Sequence, residues 1–256
     1  LTPSIDATYE DVEVTTSSSS AIKKMDGTFY NLDFGYAIAW DRRNQAFQPT
    51  DGYVTKFSQT LPLIQDSSAI VNGFEASAYH AFSEDVIGSI KFHGRAIHGV
   101  DGDVRLTKRL FIPNSKLHGF NTAKVGPKDG EDYVGGNYYY TLGVDAQLPN
   151  LLPEVYKTDF SLFLDTGNVW HVDYSNTLSD TDKVRAAVGI SANVFTTIGP
   201  MSFTLAQDIA KSINDRTSAR VDPEFLANAM NSQTAESNYI DSSKRSIADG
   251  LKEATA

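Results

Sequence analysis

The most constraining feature of this sequence is a strict two-residue alternation over residues 28–41. Its apolar members are Tyr30, Leu32, Phe34, Tyr36, Ile38 and Trp40. Small or polar residues, mainly Asn, Asp, Gly and Ala, occupy the positions between them. A period of two predicts a β-strand with one apolar face. Ordinary soluble strands average about five to six residues, whereas a strand that crosses a bilayer needs about 9–11. The length of this segment therefore favours a strand of a membrane barrel.

The alternation recurs along the chain, with varying regularity. It predicts nine strands, at about residues 2–14, 28–41, 52–63, 69–82, 86–98, 137–148, 157–170, 184–195 and 201–211. Each strand has an apolar face and a polar, partly charged face. In a soluble protein the apolar face would form the core, whereas in a lipid barrel it points outward and the polar face lines the interior. Periodicity alone does not choose between these two arrangements.

Two further features favour the barrel. Aromatic residues gather near predicted strand ends, as an aromatic girdle requires; they are Trp40, Phe47, Tyr53, Tyr133, Trp170 and Tyr174. Short turns with Pro or Gly, at residues 48–52, 150–154 and 197–200, alternate with longer polar loops. The sequence therefore predicts an all-β protein, an antiparallel transmembrane β-barrel, with a soluble β-sandwich binding module as the alternative.

A long polar segment, residues 105–137, interrupts the strand pattern. Loops of more than about 12–15 residues without secondary structure are uncommon, and are usually functional or disordered. This segment contains apolar residues that need a packing site: Leu110, Phe111, Ile112, Leu117, Phe120 and Val125. We therefore expect the loop to fold back into a cavity and to be held there.

Composition and motifs exclude several classes of protein. A net charge of −10 and a pI of about 4.9 provide no basic footprint for nucleic acid. The chain has no cysteine, which excludes disulfides and thiolate metal sites. It lacks a P-loop, a G-x-S-x-G elbow and a dinucleotide fingerprint, and its histidines do not have metal-ligand spacing. We therefore expect no catalytic residues, no metal and no cofactor; an enzyme would have to use Asp145 and Asp165 as an acid–base pair.

Five short motifs then occur in a fixed order. They are DRR followed by QPTDGY (41–43 and 48–53), LHGF (117–120), VGGN (134–137), FLDTGNVW (163–170) and IGPM (198–201). Each motif is weak by itself, but together and in this order they resemble the barrel portion of the BamA outer-membrane assembly-factor family. The resemblance covers about residues 1–216.

The resemblance implies a barrel of which this chain supplies about nine of sixteen strands, beginning near the seventh. In the family, periplasmic POTRA domains precede the barrel; neither they nor the first strands are present in this sequence. The implied function is the insertion of other barrel proteins into the bacterial outer membrane. The implied partners are unfolded outer-membrane protein clients, the lipid bilayer, and accessory lipoproteins that bind through the POTRA domains. A plugged pore or a secretion transporter of the same superfamily is the alternative.

The loop-tip motif Leu117, His118, Gly119 and Phe120 departs from the family, which usually has arginine where this chain has His118. The resemblance implies that the tip reaches acidic residues on the inner wall, and the matching positions are Asp145 and Asp165. Gly135, Gly136 and Gly167 are the other wall residues implied to contact the loop.

Asp145 and Asp165 lie on the polar face of adjacent predicted strands, so they can be cross-strand neighbours. We expect a protonated His118 between them, holding the loop more weakly than arginine would, because an imidazole cannot form a bidentate fork with a carboxylate. The alternative is a solvated loop histidine.

The final segment, residues 217–256, is polar and shows no sustained alternation. Asp222 and Asp241 could each cap the start of a helix. We therefore expect a first domain of barrel strands, residues 1–216, followed by a helical or disordered tail that is not part of the barrel.

Overall fold

A computed structural model of the chain describes residues 1–16, 23, 26–65, 68–129, 132–148, 158–173, 178, 184–196 and 199–210. The tail at 217–256, the turn at 150–154 and Tyr174 lie outside these residues, as does part of the turn at 197–200. The expectations for them stay predictions.

Nine long antiparallel strands form a single sheet. They are β1 (Thr2–Val12), β2 (Gly27–Asp41), β3 (Gly52–Gln65), β4 (Ala69–Ala81), β5 (Ile87–Gly99), β8 (Tyr138–Gln147), β9 (Thr158–Trp170), β10 (Arg185–Thr196) and β11 (Gly199–Ala210). Two short strands, β6 (Lys128–Asp129) and β7 (Asp132–Tyr133), pair with each other. The predicted all-β, antiparallel architecture of about nine strands is confirmed, and each predicted strand boundary lies within two residues of the observed one.

Each long strand pairs with the next long strand along the chain, in the order β1-β2-β3-β4-β5-β8-β9-β10-β11. Between β5 and β8 the chain forms the long loop, which contains a 3₁₀ turn at Leu106–Lys108 and the small β6–β7 hairpin. None of the described residues forms a helix that is long and apolar enough to span a membrane.

The apolar face of the sheet is exposed. Ile90, Val144, Leu164 and Val188 form one cross-strand row over β5, β8, β9 and β10. Each of these side chains is between 41% and 48% exposed. The apolar face is therefore not the core, and this resolves the choice that periodicity left open.

The core lies on the opposite, polar face, where the long loop covers the sheet. Its buried members are Ala69, Ile97, Val104, Leu110, Ile112, Leu117, Phe120, Val125, Tyr139, Val169 and Ala187. Five of these eleven residues lie within the segment 105–137 and Val104 directly precedes it, so this region supplies about half of the buried apolar side chains.

The aromatic residues near strand ends follow the prediction in part. Trp40, at the end of β2, and Tyr53, at the start of β3, are exposed on the apolar face. Trp170, at the end of β9, packs beside Tyr138 with 5.8 Å between ring centroids. Tyr133 ends the short strand β7 in the loop hairpin, where Lys124 and Lys128 stand over its ring, so it does not lie at the end of a long wall strand.

Candidate functional site: the seat of the long loop

The tip of the long loop is buried against the polar face of the sheet. Leu117 is 1% exposed and Phe120 is 2% exposed. Full burial of such side chains stabilises a structure by about 1.5–3 kcal/mol each. The prediction that the loop folds inward is confirmed. The packing of these two residues fixes the tip against the sheet, and we call the tip in this position the seated tip.

His118, between these two apolar residues, faces the carboxylate of Asp165. Its Nδ1 lies 2.6 Å from Asp165 Oδ2, and its backbone N–H donates to the same oxygen at 3.0 Å. The Asp165 side chain is only 7% exposed, whereas that of His118 is 35% exposed. The His118 ring also packs on Phe163, with 4.9 Å between centroids. One wall carboxylate therefore binds both the main chain and the side chain of the loop tip.

Gly143 makes room for that carboxylate. It lies directly opposite Asp165 in the β8–β9 register, and a Cβ at this position would stand 2.9 Å from Asp165 Oδ1. Sequence reasoning did not identify Gly143 as a site residue. The available signal was a glycine on the same face as an acidic residue of the adjacent strand.

Asp145 does not share the contact predicted for it. It lies opposite Phe163, one pair of same-face residues away from Asp165 along the ladder. There Asp145 binds Lys91 Nζ at 2.9 Å and accepts from Ser89 Oγ at 3.3 Å. The structure therefore pairs His118 with Asp165 and pairs Asp145 with β5, because the register separates the two aspartates.

Gly119 brings the loop tip close to β10 and β11. Its φ of +83° lies in the left-handed region, and a Cβ there would stand 3.3 Å from the Cβ atoms of both Ala187 and Ala206. Ala187 is fully buried. Two small wall residues, neither of which was identified from the sequence, thus form the surface on which the tip lies.

The other three predicted glycines have different positions. Gly135 and Gly136 belong to the loop itself rather than to the wall, because Gly136 exchanges backbone hydrogen bonds with Leu110, at 2.8 and 3.0 Å. Gly167 is a wall residue of β9, paired with Thr141 and Arg185. The description of Gly135 and Gly136 as wall partners is therefore wrong.

A polar cavity of about 220 Å³ lies between the loop tip and the wall. Its charged and titratable lining residues are Glu75, Lys91, His93, Lys116, His118, Asp145 and Asp165. His93 Nε2 is 3.4 Å from Glu75 Oε1, so the cavity contains three acid–base pairs. Among the described residues, no group of three or more His, Asp or Glu side chains could hold a metal ion. Of these three pairs, His118–Asp165 joins the loop to the wall, whereas Lys91–Asp145 and His93–Glu75 join neighbouring wall strands.

The two ends of the loop are joined by Asp173, which follows β9. One carboxylate oxygen accepts from the backbone N–H of Val104 at 2.7 Å, and the other accepts from Asn137 Nδ2 at 2.7 Å. Burial lowers the pKa of Lys108 in the 3₁₀ turn, and the carboxylate of Asp33 opposes that shift. Sequence reasoning missed Asp173, since neither partner is near it in the chain.

The chain is similar to known proteins in both sequence and fold. A family model described as the Omp85 superfamily domain matches residues 2–222. The chain is 22% identical to the outer membrane protein assembly factor BamA of Neorickettsia risticii, over 80% of this chain and 28% of that protein. It is 26% identical to the human sorting and assembly machinery component 50 homolog, over 62% of this chain and 36% of that protein. The chain thus spans roughly a third or less of these curated relatives.

Among solved structures, the fold is similar to that of BamA from Haemophilus ducreyi lacking POTRA domains 1–3. The TM-score is 0.66 at 21% identity, over 75% of this chain and 41% of that one. At this identity the likeness concerns the fold.

Proposed function

Because the chain belongs to the Omp85 superfamily, we propose that it is part of a non-catalytic outer-membrane assembly factor that folds and inserts other β-barrel proteins. The observation that carries the proposal is the combination of an exposed apolar face with a loop tip seated on the opposite face. Relatives named as an assembly factor and as a sorting and assembly machinery component support it.

The energy for such a function would come from strand pairing and burial rather than from a chemical step. In a bilayer each unsatisfied backbone N–H or C=O costs several kcal/mol, so an unpaired client strand gains strongly by pairing. An extended client segment can add to an exposed sheet edge through main-chain hydrogen bonds. The seated loop would keep the wall of the assembly factor in shape while client strands pair and leave.

The proposed partners are unfolded outer-membrane protein clients and the lipid bilayer. Accessory lipoproteins would bind through POTRA domains of a longer protein. The proposed location is the bacterial outer membrane. The similar proteins come from a bacterium and from human. Both relatives support a location in an outer membrane, and the bacterial relative supports the bacterial one.

A plugged pore or secretion transporter is the second candidate, and one observation favours it. A second polar cavity, of about 290 Å³, adjoins the loop tip; its lining includes Lys91, Asp145, Ser161, Ser191 and Thr204. A loop that covers such a cavity could act as the plug of an aqueous channel.

Deletion of residues 114–126 in the full-length protein separates the two candidates. The assembly proposal expects client assembly to fail while conductance in planar bilayers stays unchanged. A large rise in conductance with normal assembly would instead establish the plugged pore. Replacement of the same residues by a Gly–Ser segment of equal length is the matched control, because it keeps the chain length and removes the seated side chains.

The soluble β-sandwich remains a third class with a simple test. A binding module of that kind would stay monodisperse in water without detergent. The assembly proposal expects aggregation in water and recovery in detergent, because the row of Ile90, Val144, Leu164 and Val188 is exposed.

A further inference from the structure

The long loop is fastened to the wall at a second place, far from its tip. Arg105, just after the loop leaves β5, points its guanidinium at strand β1. Its Nη2 lies 2.8 Å from Glu10 Oε2, and the two side chains are 10% and 27% exposed. The guanidinium carbon also lies 3.5 Å from the centroid of the Phe29 ring.

Glu10 and Phe29 are directly opposite each other in the β1–β2 register. Arg105 therefore covers a cross-strand pair, with an ion pair to one strand and a cation–π contact to the other. Such contacts favour arginine over lysine, because the planar guanidinium can stack on a ring while it donates to a carboxylate. The low exposure of both charged groups reduces the solvent screening that weakens surface ion pairs.

The backbone that carries Arg105 is held in a short, hydrogen-bonded turn. The N–H of Arg109 donates to the carbonyl oxygens of Arg105 and Leu106, both at 3.1 Å. The Arg109 side chain donates to Val104 O through Nε at 3.2 Å and through Nη2 at 3.1 Å. Val104 is in turn held by Asp173. Arg105 thus projects from a well-supported segment rather than from a free loop.

The two fastenings lie on different parts of the sheet. Arg105 contacts β1 and β2, whereas His118 and Gly119 contact β9, β10 and β11. Four strands (β3, β4, β5 and β8) separate β2 from β9 in the sheet order. A loop fixed at both places therefore joins wall segments that lie four strands apart among the described strands of the sheet.

We propose that Arg105 is a positioning residue: with Glu10 and Phe29 it forms a second anchor that ties the loop to β1 and makes the loop a brace across the polar face. The proposal rests on the proposed assembly function only for its purpose, which is to hold β1 and β2 in place while client strands pair and leave. The anchor itself is defined by the contacts of Arg105 with Glu10 and Phe29, so it can be tested without a client protein.

The test is a distance measurement in the full-length protein in lipid, in a cysteine-free background with nitroxide labels at the exposed Asp103 and Thr8. This chain contributes no native cysteine to the labelling. The unchanged protein is expected to give one narrow distance. Arg105→Gln and the milder Glu10→Gln should each add a broad, longer component, because each removes the ion pair.

Two further variants make the test specific. The single charge reversals Glu10→Arg and Arg105→Glu should each broaden the distance distribution. The double variant with both reversals should give a narrower distance distribution than either one, because it restores the ion pair, although it loses the contact with Phe29. The matched control is Arg43→Gln: its ion pair with Asp41, at 2.6 Å, joins residues only two positions apart and links no separate elements. This control should leave the Asp103–Thr8 distance distribution narrow.

A narrow, unchanged distance in both Arg105→Gln and Glu10→Gln would overturn the anchor. So would an exchanged pair that is as broad as the single reversals. Client assembly is measured separately on the same samples. If the unchanged protein assembles no client, the assembly proposal fails while the distance result still decides the anchor.

Discussion

At the scale of single residues, Asp165 is the group on which the seated loop depends most directly. Its Oδ2 binds both the ring and the backbone N–H of His118, and its side chain is almost fully buried. Because both contacts meet at one oxygen, loss of the acid should matter more than loss of the histidine.

We expect Asp165→Ala to expose the loop tip to trypsin, with cleavage at Lys116 and Lys124 as the measurement. Hydrogen bonds to charged groups contribute about 1.5–3 kcal/mol, and 1.4 kcal/mol is about tenfold. The expected acceleration of cleavage is therefore about tenfold or more. His118→Ala should have a smaller effect because the backbone N–H still donates to Asp165.

Asp159→Ala is the control, since this aspartate lies on the same strand and binds Gln48 rather than the loop. Faster cleavage in His118→Ala than in Asp165→Ala would contradict this ranking.

Gly119 provides a second test at this scale. Gly119→Ala places a side chain in the left-handed region, at a cost of about 1–2 kcal/mol, and brings its Cβ to 3.3 Å from Ala187 and Ala206. Ala187→Val crowds the same contact from the wall, and overpacking costs about 1–3 kcal/mol.

Both variants should speed amide hydrogen exchange over residues 117–120 by about tenfold, as 1.4 kcal/mol implies. Ala192→Val is the matched control, because Ala192 lies on the same strand but on the apolar face, opposite Phe160 and Phe203. If the exchange rate over residues 117–120 rises as much in the control, or rises in none of the variants, the tip is not tightly packed against the wall.

At the scale of the elements, the two faces of each strand should respond differently to charge. Leu164→Lys puts a cation on the apolar face, where Leu164 is 43% exposed. A lysine facing lipid near the bilayer midplane costs about 2–4 kcal/mol. Ser191→Lys places the same charge on β10, where Ser191 lines the polar cavity.

Equilibrium unfolding in urea, with the protein refolded into vesicles, measures the difference. We expect Leu164→Lys to lower the free energy of unfolding by several kcal/mol, about 2–4, and Ser191→Lys to lower it much less. Equal losses in the two variants would mean that the apolar face does not meet lipid.

The strands could be predicted from the sequence because a two-residue period survives without knowledge of any contact. The same pattern assigned Asp145 and Asp165 to the polar face but could not give the register, and the register decides which of them meets His118. Gly143 became visible as part of the site only once β8 was aligned with β9. The Arg105–Glu10 pair and the contact of Asp173 with Val104 join residues 95 and 69 positions apart, and no local pattern reports such distances.

At the scale of the whole molecule, one arrangement underlies both proposals. The apolar face of the sheet is directed away from the loop, and the loop packs its own apolar residues on the polar face. The chain therefore has an exposed apolar surface and a separate buried core. Lipid is the environment that makes this distribution favourable, because the apolar face would otherwise contact water.

The most direct test is a nitroxide scan of β5 and β8 with the full-length protein in a bilayer. The labels are placed one at a time at Ile90, Lys91, Phe92, Thr141, Leu142 and Val144. Collision with oxygen, which concentrates in lipid, should be high at Ile90, Phe92, Leu142 and Val144 and low at Lys91 and Thr141. The opposite alternation of oxygen collision would contradict the account. So would the absence of alternation, with a water-soluble relaxation agent reaching the labels on both faces equally.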